Sequence, residues 1–164
     1  MGLILIIILG CLSITNSFSL EADKNQELLF SADGGSHMSI EGDNRLLEMS
    51  NNVIITRGTM VIRGDNATIR SIISNGEVSK VTVVGTPVHY EQQLDANDEP
   101  VKGSSNSISF YTDDDGTSVI ELIGEAVIKS PTSNFKCSAI TYIAEQDLIR
   151  DTKGPCSGAF STSN

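Results

Sequence analysis

The residues in this chain that could do chemistry are few and poorly spaced for it. There are two histidines, His37 and His89, and neither has a Cys or Asp at metal-ligand spacing, so no metal site is expected. The run Asp113-Asp114-Asp115-Gly116 is dense in carboxylates. It reads as a solvated hairpin tip, with a weak calcium loop as the sharper alternative. The chain contains no nucleophile elbow, no Gly-rich phosphate cradle and no HExxH motif. A carbohydrate-active enzyme would need paired carboxylates facing inward, and the patterns described below put apolar side chains there. The expectation is a protein without catalytic residues, cofactor or metal.

The bulk composition narrows the partners. The chain has 164 residues, of which 39% are hydrophobic and 20% charged, which is enough for one globular domain with a buried core. The net charge is −10, from 21 acidic and 11 basic residues. Nucleic acid is excluded as a partner, because neutralising phosphates needs a basic surface. If the ligand is an anionic lipid, apolar contact must supply most of the affinity.

The N-terminus points to export. Leu3 to Leu9 continue through Gly10-Cys11-Leu12 as an apolar run of about a dozen residues, short of the ~20 that span a membrane. Ser17-Phe18-Ser19 then offers small residues at signal-peptidase spacing. The expected organisation is a signal peptide over residues 1–19, a mature domain over 20–164, and a periplasmic location. Two alternatives stay open. Ile8-Leu9-Gly10-Cys11 loosely matches a lipoprotein cleavage box, and the segment could remain as an uncleaved anchor. With cleavage after Ser19, only Cys137 and Cys156 remain. An even pair in an oxidising compartment, on either side of a hairpin turning near Glu145-Gln146-Asp147, reads as a disulfide; two unpaired small residues are the alternative.

Beyond residue 26 the hydrophobic pattern has period two, as in Met38-x-Ile40, Val53-x-Ile55, Val81-x-Val83, Ile108-x-Phe110, Ile120-x-Leu122 and Ile140-x-Tyr142. Short alternating runs bounded by Gly, Asn, Asp, Ser or Pro are the signature of strands and turns. Turns are read at Asp33-Gly34-Gly35, Asn51-Asn52, Asn75-Gly76, residues 95–98 and Asp113–Gly116. A short helix is allowed only around residues 21–29. Two phrases recur every 30 to 40 residues or so, the spacing of stacked repeat units. One opens a strand with small polar residues: Asp65-Asn66-Ala67, Ser105-Asn106-Ser107 and Ser138-Ala139-Ile140. The other turns and resumes: Asn51-Asn52-Val53, Gly85-Thr86-Pro87-Val88 and Gly124-Glu125-Ala126. No unit alone covers its apolar face, so neighbours must stack on it. The expected fold is an all-β, antiparallel ladder folded over itself.

These phrases carry a resemblance to a known family. Asn51 to Ile62, then Gly85-Thr86-Pro87-Val88-His89-Tyr90-x-Gln92 with Asp95 and Pro100-Val101-Lys102-Gly103, then Gly124-Glu125-Ala126 and Lys136 to Tyr142 follow one another in an order similar to the LptA/OstA-like periplasmic lipopolysaccharide transport proteins. The likeness covers about residues 26 to 152. It implies a twisted, V-shaped antiparallel β-jelly roll that binds the lipid A part of lipopolysaccharide. It also implies head-to-tail self-association, with an LptC-like inner-membrane protein at one end and an LptD-like outer-membrane protein at the other. The cysteine pair, the acidic charge and a Ser/Thr-rich C-terminus in place of a basic tail depart from the pattern.

On that resemblance, lipid chains would lie against the inward residues Phe30, Ile40, Met49, Val53, Ile55, Ile62, Ile69, Val83, Val88, Tyr90, Ile108, Phe110, Leu122, Ile140 and Tyr142. As single residues these also read simply as core. Arg57, Arg63, Arg70 and Lys80 would meet lipid phosphates at the rim, or else stand as solvated surface cations. The strand after about Glu27 and the strand near Leu148 to Cys156 would form the pairing edges. Two readings compete: a membrane-anchored LptC-like component of the same pathway, and a ligand-free structural β-solenoid.

Overall fold

The computed structural model describes residue 23, residues 25–94 and residues 99–161. The proposed signal peptide, residues 21, 22 and 24, and the acidic loop at 95–98 lie outside the described residues; in the segment read as a short helix, residues 25–28 form a turn and irregular chain and Leu29 already belongs to a strand. Ten strands follow in order: β1 Leu29–Ser31, β2 Ser36–Glu41, β3 Asn44–Arg57, β4 Met60–Ile72, β5 Val78–Gln92, β6 Val101–Thr112, β7 Ser118–Lys129, β8 Ser133–Ile143, β9 Leu148–Lys153 and β10 Ser157–Phe160. A 3-10 turn, Ala144–Gln146, joins β8 to β9. All pairings are antiparallel between chain neighbours, save that β1 and β2 both pair with β3 and that β9 and β10 both pair with β8. The fold is therefore an open ten-stranded ladder.

The six central strands, β3 to β8, are long, and each is interrupted near its middle. The ladder register shifts between Ser50 and Val53, Arg63 and Asn66, Val84 and Val88, Ser104 and Ser107, and Ile123 and Ala126. These β-bulges line up across the sheet into one crease, because extra residues bend a strand and sharpen its twist. The crease divides the ladder into two half-sheets. One contains the start of β3 and the end of β4, the other the end of β3 and the start of β4, and so on through β8.

Here the structure corrects the reading of the repeated phrases. Asn51-Asn52 and Gly124-Glu125 do not reverse the chain, and Asp65-Asn66, Ser105-Asn106 and Ser138 do not open strands. Both phrases lie mid-strand, on the crease. Asn51, Asn52 and Glu125 adopt positive φ, as does Gly124 at 81°, conformations favoured by Gly and tolerated by Asn. The repeat spacing is thus the distance between successive passages over one bend. True reversals occur at Asn75-Gly76, where Gly76 N donates to Ile72 O, and at Asp113–Gly116, where Gly116 N donates to Asp113 O.

The two half-sheets close on each other like a V. Arg57, at the end of β3 in one half, stands 5.6 Å over the ring of Phe110, in the other half of the ladder. Between the halves lies one apolar core, from Met49 and Val53 at one side to Ile140 and Tyr142 at the other. The disulfide joins Cys137 of β8 to Cys156, with Cα atoms 4.3 Å apart, at the point where the chain leaves β9 and enters β10.

Candidate functional site

Cross-strand partners point to the same face of a sheet, so the register writes out the inner surface directly. In the first half-sheet one row runs Met38, Leu47, Ile69, Val81, Phe110, Ile120, Tyr142, Ile149. Beside it runs Met49, Ala67, Val83, Ile108, Leu122, Ile140. The facing half-sheet contributes Phe30, Ile55, Ile62, Tyr90, Gly103, Ile128, Phe135. Seven strand spacings make the first row roughly 35 Å long. Every position named is apolar or glycine, and the second row gives way to Ser36 and Thr152 at its two ends.

Thirteen of the fifteen residues expected to face inward (all but Phe30 and Ile40) are buried on this surface, at 0–6% exposure. Phe30 and Ile40 face the same way but are uncovered, at 52% and 73%, as is Met38 at 57%. They lie on β1 and β2, the strands at one end of the ladder, where among the described residues no further strand continues the two walls. The greasy surface therefore runs out into solvent at that end. Alternation within a strand indicates which way a side chain points; only its position in the sheet decides whether anything covers it.

The four cations expected at the rim separate. Arg57 is at the mouth of the V, over Phe110, with Nε donating to Gln26 O at 3.4 Å. Arg63, Arg70 and Lys80 are not at the rim: each alternates with a buried inward neighbour and so points out. Arg70 pairs with Glu41 at 2.9 Å, and Lys80 with Glu121 at 3.5 Å. His37 and His89 lie on β2 and β5, and among the described residues no cluster of three or more His, Cys, Asp or Glu could hold a metal.

Sequence reasoning missed part of the lining and, apart from Arg57, the rim. Met60, Val81, Ile120 and Ile128 are as buried as the residues selected. Val81 and Ile120 belong to the alternating pairs already recognised, so extending each pair to both members would have found them. The rim is polar. Tyr90 Oη donates to Gln92 Oε1 at 2.6 Å; Gln92 Nε2 in turn donates to Asp23 Oδ2 at 3.0 Å, and Asp23 also accepts from Thr59 N at 2.9 Å. Tyr142 Oη donates to Asp147 Oδ1 at 2.8 Å. Burial, and then the nearby carboxylates of Glu145, Asp23 and Asp147, push the Tyr90 phenol pKa far above its usual range. Burial first, then Tyr90 and Asp147, do the same to Tyr142. Both phenols are therefore neutral donors that bring a polar edge to an apolar interior.

The interior is filled. A gap of about 20 Å³ lies at the mouth among Asp23, Arg57, Met60, Gln92, Phe110, Ser118, Ile120, Ala144 and Glu145, room for roughly one water. A hollow of about 340 Å³ lies on the crease beside Pro87, Asn106 and Glu125, and two larger ones lie toward the ends of the ladder. One of about 510 Å³ lies beside β2 between Ser36 and Met49. Another of about 380 Å³ is bounded by Phe135, Ile149 and Phe160.

Comparison with known proteins agrees with this architecture. Residues 35–147 match the model of the family described as LptA/(LptD N-terminal domain) LPS transport protein. The chain is 30% identical over 140 residues to the lipopolysaccharide export system protein LptA of Haemophilus influenzae, covering 85% of this chain and 77% of that one. It is 26% identical to LptA of Escherichia coli K12, covering 82% and 69%. It is 22% identical to the export system protein LptH of Pseudomonas aeruginosa, covering 94% and 83%. The crystal structure of LptH, an LptA homologue, superposes with a TM-score of 0.69 at 16% identity, over 86% of this chain and 99% of that one.

Proposed function

The chain belongs to the family of LptA and LptD N-terminal domain lipopolysaccharide transport proteins, and from that premise we propose that it is a periplasmic carrier of lipopolysaccharide on its way to the outer membrane. Residues 1–19 serve as its export signal. An LptC-like inner-membrane protein delivers the lipid, further copies stacked head to tail extend the path, and an LptD-like outer-membrane protein receives it.

The observation that carries this reading is the set of apolar rows, which run from Met38 to Ile149 in one half-sheet and from Phe30 to Phe135 in the other and emerge uncovered at Phe30 and Met38, with Ile40 exposed beside them. Each methylene moved from water to an apolar site gains about 0.8 kcal/mol, so one bare acyl chain crossing water faces a barrier of order 10 kcal/mol. A continuous apolar surface removes that barrier, while an open mouth leaves the sugar-phosphate headgroup in water. The task needs no bond making or breaking.

Because the interior is closely packed, cargo does not drop into a ready-made hole. The two half-sheets are joined by the crease and meet at the rim through side chains. Loading parts the rim about the crease and exchanges side-chain contacts for contacts with lipid. Entry begins at the β1–β2 end, where the apolar surface is already exposed. Arg57, at the mouth, is the cation placed to meet a lipid phosphate.

Photo-crosslinking tests this. With a benzoylphenylalanine probe at Phe30 or Ile55, purified protein incubated with lipopolysaccharide should form a covalent adduct. The same probe at the outward Arg63 should not. Capture at outward positions alone would overturn the reading.

A further inference from the structure

The rim is fastened at one place by a single side chain. Asp147 follows the 3-10 turn after β8, in the first half-sheet. Its Oδ2 accepts from Thr132 Oγ1 at 2.7 Å and from Ser130 Oγ at 3.2 Å. Both partners lie at the turn from β7 to β8, the tip of the opposite half-sheet. Its other oxygen accepts from Tyr142 Oη, the buried phenol next to last in the first apolar row. One carboxylate thus ties the two tips together and anchors them to the core. Ser130 and Ser133 are buried beside it, with their hydroxyls 3.2 Å apart.

What lies beyond this clasp gives it meaning. On the inner side is the closed core of Tyr142, Ile120 and Ile128. On the outer side is the 380 Å³ hollow bounded by Phe135, Ile149 and Phe160. Phe135 and Ile149 are the direct cross-strand continuations of Ile128 and Tyr142. The apolar rows therefore pass beneath the clasp and reopen past it. At the opposite end the rows reach solvent at Phe30 and Met38, with Ile40 exposed beside them.

We propose that the Asp147 clasp is a gate that closes the β8–β10 end of the lipid path, so that the isolated protein loads from the β1–β2 end and passes lipid on only when the clasp is released. This rests on the carrier reading above. Asp147 is a positioning residue: it acts on the separation of the half-sheets and need not touch the lipid. Asp147 also has φ 44° and ψ 48°, a left-handed conformation that glycine adopts without strain. Asp147→Gly therefore removes the carboxylate while keeping the turn, and Thr132→Val removes a partner from the other tip.

The experiment compares lipopolysaccharide capture by benzoylphenylalanine at Phe135, past the gate, with capture at Phe30, before it. In the unaltered protein capture should be strong at Phe30 and weak at Phe135. Asp147→Gly should raise the ratio of Phe135 to Phe30 capture roughly tenfold, the scale set by losing one or two net hydrogen bonds. Thr132→Val should raise it by a smaller factor. An unchanged ratio in both variants, or equal losses at both positions as from a general loosening, would overturn the gate and leave the carrier reading standing. No capture at Phe30 in the unaltered protein would remove both.

Discussion

Tyr90 and Gly103 face each other across β5 and β6, and a Cβ added to the glycine would come within 3.3 Å of the Tyr90 ring and 2.9 Å of Leu122 Cδ2. The glycine in Pro100-Val101-Lys102-Gly103 is thus there for space: it gives the buried tyrosine a flat floor in the middle of the interior. From that position the Tyr90 phenol reaches Gln92 at the rim.

A side chain at position 103 should therefore be costly. Gly103→Val forces the Tyr90 ring and Leu122 apart in a packed core and should destabilise the protein by about 1–3 kcal/mol. Urea unfolding should show a lower midpoint with an unchanged slope. A midpoint equal to that of the unaltered protein would mean the interior is looser than its burial implies.

The disulfide should be a large part of the stability of the C-terminal edge. Cys137 and Cys156 are 19 residues apart, and closing a loop of that size stabilises by about 3 kcal/mol in the chain-entropy account. β10 adds four residue pairs with β8 and the edge-to-face contact of Phe160 with Phe135, centroids 5.1 Å apart. Adding reductant, or replacing Cys137 and Cys156 with Ser, should lower the unfolding midpoint. It should also speed amide exchange in β10 before β5 is affected. Identical exchange with and without reductant would refute this.

The two buried phenols set an upper pH limit. In the folded state the Tyr90 and Tyr142 pKa values lie above the ordinary value of 10.0. The unfolded chain therefore loses these protons first, and the folded state binds more protons at alkaline pH. Stability contributed by the neutral phenols is complete below about pH 10 and declines as pH rises above it. Unfolding midpoints should be flat from pH 7 to about 9 and fall above 10. Replacing Tyr142 with Phe should weaken that fall.

The cations should differ in their effect on lipopolysaccharide affinity. Arg57→Gln removes the cation at the mouth and should weaken binding roughly tenfold, on the scale of a charge-assisted hydrogen bond. Neutralising Arg63, Arg70 or Lys80, which face outward, should change it by less than about twofold. Titration at fixed ionic strength checks both, and equal losses at all four would place the headgroup on the outer face.

What the sequence determined by itself is local. Period-two alternation identified the strands and, in each, which side chains share a face, because successive side chains of an extended chain point opposite ways. Thirteen inward residues were legible on that basis, and so was the cysteine pairing across the β8–β9 turn. The order of the phrases was enough to indicate the family.

The tertiary structure decided what alternation cannot carry across a bend. Met49 and Val53, or Leu122 and Ala126, are buried four residues apart and keep phase through the crease. Ile62 and Ala67, or Val83 and Val88, are five apart and lose it. Odd insertions reverse the face of everything that follows, so Asp65-Asn66 and Gly85-Thr86-Pro87 read as strand ends until the ladder is assembled. Folding the ladder on that crease then recruited Gln92, Asp147 and Arg57 to a common rim from positions far apart in the chain. It left Phe30 and Ile40 bare because, among the described residues, the sheet ends there. A residue's own neighbours fix its direction; only the closing of one half-sheet on the other fixes what it meets.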